Sequence, residues 1–141
     1  ARIRRVSRRV MRAGAKITEE SPAAALHDLR KRCKELRYLL EFFGGLYDRS
    51  ATGALVTALK GLQDNLGEFQ DTAVQHAAVD GFAEELLADG GTPAATLLAL
   101  GRLGGTLEQR QHRARAEFAQ RFAAFAAPEN RRLIADMTGS P

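Results

Sequence analysis

Tryptophan is absent from this sequence, cysteine occurs once, as Cys33, and tyrosine twice, as Tyr38 and Tyr47. A single cysteine forms no internal disulfide and builds no multi-cysteine metal knuckle, so Cys33 reads as a packing residue, and a reducing cytoplasmic setting suits it best. No apolar run approaches the roughly 20 residues that span a bilayer, and no signal-type apolar block follows the basic N-terminus. The reading is a soluble protein with no membrane partner. β-Branched runs are nearly missing while alanine and leucine abound, so local preference is for helix rather than strand.

Catalytic signatures are missing too. There is no glycine-rich phosphate loop of Walker or dinucleotide type and no Ser/His/Asp or Cys/His set with a local signature. Glu-x-x-His, the pattern a di-iron bundle needs on two helices, occurs nowhere. The pair His27-Asp28 is reminiscent of metal-dependent phosphohydrolases, but only His76 and His112 remain as further histidines. These two read as surface or satisfied bundle residues, and Asp71 lacks companions for a metal. The expectation is a protein without catalytic residues, metal or cofactor.

What is present is a chain of 141 residues, 45% hydrophobic and 27% charged, enough for one domain with a continuous core. Its net charge of +4 conceals a segregation. Residues 1–37 carry twelve Lys/Arg against four Asp/Glu, and the remainder nine against thirteen. Such a field attracts phosphates, anionic lipids or acidic proteins.

Helical periodicity runs through most of the chain. From Ala1 to Lys16, Ile3, Val6, Val10 and Ala13 recur at three- and four-residue spacing, with Arg2, Arg5, Arg9, Arg12 and Lys16 on another face. The chain starts without methionine and inside this helix, as expected of an excised domain or fragment. Ser21-Pro22 predicts a second helix start, Ser21 as cap and Pro22 in the first turn. Leu26, Leu29, Cys33, Leu36, Leu40 and Phe43 form its core seam, ended by Gly44-Gly45. A third helix is expected from Thr52 to about Ala88 with Leu55, Leu59, Leu62, Leu66, Phe69 and Ala73 inward, Gly67 marking close packing or a kink. After the loop around Gly90-Gly91, Thr92-Pro93 repeats the start signal for a last long helix to about Ala126, ended by Pro128. Arg131 to Met137 forms a short final turn. The fold class is all-α, an antiparallel four-helix bundle.

Function concentrates in the second helix. At 100° per residue His27, Arg30, Lys31, Lys34, Arg37 and Tyr38 share one sector beside the apolar seam. Like charges at i,i+3 and i,i+4 repel by a few tenths of a kcal/mol per pair, roughly, which a bound anion would offset. The sector is roughly 16 Å long, suited to successive phosphates of a linear polyanion more than to a point anion. Arginine offers a fork for paired phosphate oxygens, lysine a mobile charge, and His27 and Tyr38 hydrogen bonds. The bland reading of such a stripe is a solvated face with internal ion pairs. Arg5, Arg9 and Arg12 could converge on it from the first helix, and Lys60, Arg102, Arg110 and Arg113 could extend it. Asp71 is expected to orient Arg37 or its neighbour.

Leu26-His27-x-x-Arg30-Lys31-x-x-Lys34-x-Leu36-Arg37-Tyr38, followed by Leu62-Gln63-x-x-Leu66-Gly67-x-x-x-Asp71, resembles the CHAD family, the conserved histidine α-helical domain. The resemblance implies a fold of two similar four-helix halves around a basic channel that binds inorganic polyphosphate, associated with polyphosphate granules and without catalysis. By that likeness His27, Arg30, Lys34, Arg37 and Tyr38 are binding residues, with Lys31 and the first-helix arginines as helpers. Members are often fused to a triphosphate-tunnel domain, of whose alternating strands nothing appears. The family domain is about twice this length and the motifs look like those of its second half, which implies a fragment, or an opposing wall from a missing N-terminal half or a second copy. Two alternatives compete. One is a helical nucleic-acid binder, against which the scarcity of aromatic residues near the stripe speaks. The other is a structural bundle that binds an acidic protein.

Overall fold

The computed structural model describes residues 2–139. Five α-helices follow one another: α1 (Arg2–Ala15), α2 (Ala23–Phe43), α3 (Arg49–Asp89), α4 (Ala94–Phe125) and α5 (Pro128–Met137), with a 3-10 turn at Gly44–Leu46. No strand occurs among the described residues.

The apolar seams read from the sequence become one core. Ile3, Val6 and Val10 of α1 meet Leu26, Leu29, Cys33, Leu36 and Leu40 of α2, and Leu55, Leu59, Leu62, Leu66 and Phe69 of α3. Ala114, Phe118 and Phe125 of α4 and Ile134 and Met137 of α5 complete it. Each fully buried leucine contributes about 1.5–3 kcal/mol relative to exposure, so this cluster is what holds the helices together.

The helix starts differ from expectation. Pro22, not Ser21, is the residue before α2, with no side-chain cap, and Pro93 stands in the same place before α4. The hydroxyls are engaged elsewhere: Ser21 Oγ accepts from the Thr18 N–H at 2.8 Å, and Thr92 Oγ1 donates to the Leu86 carbonyl at 3.0 Å. Both tie the preceding loop instead. A side-chain cap appears where none was expected, at α3, whose first-turn Ser50 N–H donates to Asp48 at 2.9 Å. Pro128 opens α5 rather than merely closing α4, since its missing N–H costs nothing in a first turn.

Helices α3 and α4 form an antiparallel hairpin. The contacts Gly61 with Arg121, Asn65 with Ala114, Glu68 with Arg110 and Val79 with Gly104 step down one helix as they step up the other. Only one half of this hairpin reaches the core. Beyond Thr72 the two helices continue as an arm whose tip is the Gly90-Gly91 turn, both glycines at φ 73°. Val74, Phe82, Leu87, Leu98 and Leu103 of the arm are exposed. Among the described residues no helix is long and apolar enough to cross a membrane.

A basic flank on α2 as candidate anion site

The sector on α2 is set by its seam. Burying Leu29, Cys33, Leu36 and Leu40 fixes the rotation of the helix, and Arg30, Lys34 and Arg37 then lie on the flank toward α3. The Arg30 guanidinium lies across Gly67: a Cβ built there would sit 3.7 Å from Nε and 3.8 Å from one terminal nitrogen. Gly67 therefore marks close packing, and α3 runs through it without a break.

This contact also fixes direction. Arg30 reaches Gly67 although only residues 44–48 join the two helices, so α2 and α3 run antiparallel. Lys60 and Gln63 share the face of α3 that carries Gly67, toward the C-terminal end of α2. Asp71 lies one turn the other way, away from Arg37. Accordingly the expected Asp71–Arg37 pair does not form: Arg37 Nε donates to Glu41 at 2.7 Å on its own helix, and Asp71 makes no ion pair among the described residues. A partner four residues along the same helix needs no tertiary alignment.

The remaining members of the stripe have distinct surroundings. Lys31 pairs with Asp28 at 2.9 Å and holds that carboxyl below its ordinary 3.8. Lys34 Nζ stands 5.9 Å from the centre of the exposed Tyr38 ring, a weak cation–π contact. His27 Nδ1 and Gln63 Oε1 are both shielded from solvent without a hydrogen-bond partner. An unmet buried polar atom costs about 1–3 kcal/mol, so both are groups a ligand or water would satisfy.

The arginines of α1 are not brought onto this flank. Arg2 pairs with Glu35 at 3.3 Å, and Arg9, Arg12 and Lys16 share a groove with Asp28 and Arg32 on the other side of α2. Arg5 lies with Arg9 and Arg12 on the outer surface of α1. The physical reason is the handedness of the seam: α1 packs against the Asp28–Arg32–Glu35 side, leaving Lys31 at the border between two basic surfaces. Convergence of both helices in one groove is therefore corrected to two adjoining faces.

Arg110 and Arg113 line a separate groove between α3 and α4 with Asp64, Glu68 and Arg121. Arg110 is committed there through two hydrogen bonds to Glu68, at 2.8 and 3.0 Å, which raise its pKa further. Arg102 is exposed on the arm. Arg115, to which the sequence assigns no role, spans from α4 to the α1–α2 loop, donating to the Thr18 and Ser21 carbonyls and lying 5.4 Å from the Phe69 ring centre. Its acceptors are backbone atoms 97 and 94 residues away, so no local pattern announces it. His76 and His112 sit beside Asp80 and Glu108 in i,i+4 surface pairs.

Chemically the flank presents guanidinium forks and ammonium groups along one line, which suits phosphate oxygens in series. Among the described residues no group of three His, Cys, Asp or Glu side chains is placed to hold a metal ion. A family model, that of the CHAD domain, matches residues 1–80, more than half of the chain, taking in α1, α2 and α3 as far as Asp80. No curated protein matches the chain.

Proposed function

Since this chain belongs to the CHAD domain family, we propose that it is a non-catalytic module that binds inorganic polyphosphate along the α2 flank. Arg30, Lys34 and Arg37 contact successive phosphates, His27 and Tyr38 add hydrogen bonds, Lys60 extends the track from α3, and Lys31 leads toward Arg5, Arg9 and Arg12. The observation that carries this reading is the line of cations beside the α2–α3 seam, the Arg30 guanidinium close beside Gly67 and one His27 ring nitrogen left without a partner. A phosphate oxygen supplies what that flank lacks. No metal or cofactor is needed for such binding, and the protein would reside in the cytoplasm at polyphosphate granules.

On this reading the helices form one four-helix half of a two-bundle channel, α5 being a short addition. The facing wall comes from the other half of such a domain or from a second copy. The exposed apolar residues of the arm, Val74, Phe82, Leu87, Leu98 and Leu103, support a covering partner.

The test is competition between long-chain polyphosphate, single-stranded RNA and duplex DNA at equal phosphate concentration, at low and near-physiological salt. Polyphosphate winning at both salts is the expected result, whereas equal binding that vanishes with salt would reduce the flank to a generic basic surface. Lys34→Glu and Arg37→Glu are expected to lower polyphosphate affinity at least tenfold with helicity retained in circular dichroism. Loss of helicity in both would mean that the stripe is structural.

A further inference from the structure

On the side of α1 turned away from α2, a groove of about 330 Å³ runs between α1 and α5. Its rim is Arg4, Arg8 and Arg12, stacked at i,i+4 spacing along α1, with Arg131 of α5 among the lining residues. Arg131 is held in place, its Nε donating to the Ala126 carbonyl at 2.8 Å. None of these four makes an ion pair among the described residues, and no carboxylate is among the residues lining the groove.

The interior is of another kind. Met11, Ile134 and Ala135 give it an apolar floor. Ser7, 2% exposed, also lines it, and its Oγ has no hydrogen-bond partner. A buried hydroxyl without a partner is unfavourable, and the exposed arginines at i,i+4 spacing beside it repel one another, so an anion would relieve both. An inorganic phosphate would satisfy the rim and leave the apolar floor wet. An anion carrying a hydrocarbon covers both, its head on the arginine forks and its tail on the floor.

We propose that the α1–α5 groove binds an amphiphilic anion, a phosphate monoester with an aliphatic tail. Arg4, Arg8 and Arg131 hold the head, the Ser7 hydroxyl adds a hydrogen bond, and the tail lies on Met11 and Ile134. The site lies across α1 from the α2 flank, sharing only Arg12 with the first-helix arginines assigned to the phosphate track, and it uses α5, which lies outside the family match. Such a head occurs on a free alkyl phosphate and on phosphatidic acid in a membrane.

Calorimetric titration of the whole chain with decyl phosphate below its micelle-forming concentration, against inorganic phosphate, tests the free form. Flotation with phosphatidylcholine vesicles, with and without phosphatidic acid, tests the membrane form. Saturable binding in either arm, at least tenfold stronger than for inorganic phosphate or for vesicles lacking phosphatidic acid, is expected and identifies the source. Arg8→Glu with Arg131→Glu should weaken it at least tenfold. Ala135→Trp, which keeps every arginine and fills the groove, should do the same, and Lys34→Glu should leave it unchanged. Equal binding of decyl and inorganic phosphate, insensitivity to Ala135→Trp, binding in neither arm, or loss in Lys34→Glu would each overturn the site.

Discussion

Single residues carry more of this fold than their size suggests. Gly14 faces the Phe122 ring so closely that a Cβ would overlap it. Phe122 is stacked on Phe118, ring centres 5.8 Å apart, so making room for a Cβ means breaking that stack. Gly14→Ala, although it favours the helix locally, should destabilise the protein by about 1–3 kcal/mol in urea titration. An unchanged midpoint would mean that the ring moves freely. Cys33 is the opposite case, a reactive group silenced by place. Fully buried, its thiol is pushed up to about 12 by desolvation. A thiol reagent at neutral pH should leave the native protein unmodified and label it fully in urea; rapid native labelling would contradict the packing.

Among the elements, α3 depends on a start that the sequence disguised. Thr52 reads as its first residue because the apolar period begins at Leu55, but the helix starts three residues earlier, at Arg49, capped by Asp48, whose carbonyl accepts from the Thr52 N–H. The Asp48 carboxylate accepts from the Ser50 N–H and hydroxyl, which holds its pKa below the ordinary 3.8. A carboxyl whose folded pKa is depressed stabilises the fold fully above its unfolded value, and loses that contribution as pH falls through the folded value. Asp48→Ala should therefore lower the Tm at neutral pH and narrow its gap to the parent protein below about pH 3.8. A constant gap at all pH would assign the effect to something other than the carboxylate. The seams of α1, α2 and α3 were legible in their buried aliphatic residues, which repeat with the helix period, although Ala13 and Phe43 are only partly buried and Thr72, not Ala73, closes the α3 seam. The caps of α2 and α4 were not, because the Ser21 hydroxyl is taken by the Thr18 N–H in the loop and the Thr92 hydroxyl by the Leu86 carbonyl at the end of α3.

At the scale of the whole molecule, the candidate site was legible as a line along α2 and illegible in its neighbours. Residues on one helix have a fixed angular relation, so the stripe follows from spacing alone. Which flank receives α1, and whether Arg37 finds Asp71 or Glu41, depends on packing that no spacing encodes. The arm of α3 and α4 was foreseen as two helices but not as a projection, because the apolar period runs on past Thr72 with smaller residues such as Ala77 and Ala78. Its exposed apolar side chains predict self-association. Sedimentation at micromolar concentration should give a mass above the monomer, and a strictly monomeric, fully folded chain would count against a second copy as the covering partner.

The projecting arm has another consequence. Residues 71–108 carry six carboxylates against one arginine, Arg102, while residues 1–37 hold the excess of cations at the opposite end of the charge pattern. Charge so divided along the chain gives the molecule an acidic arm and a basic body. If the α2 flank binds a phosphate chain as proposed above, the field of that chain would turn the molecule before contact and raise the fraction of correctly oriented collisions. On that proposal the acidic arm would act on the association rate without contacting the anion, as a rudder does.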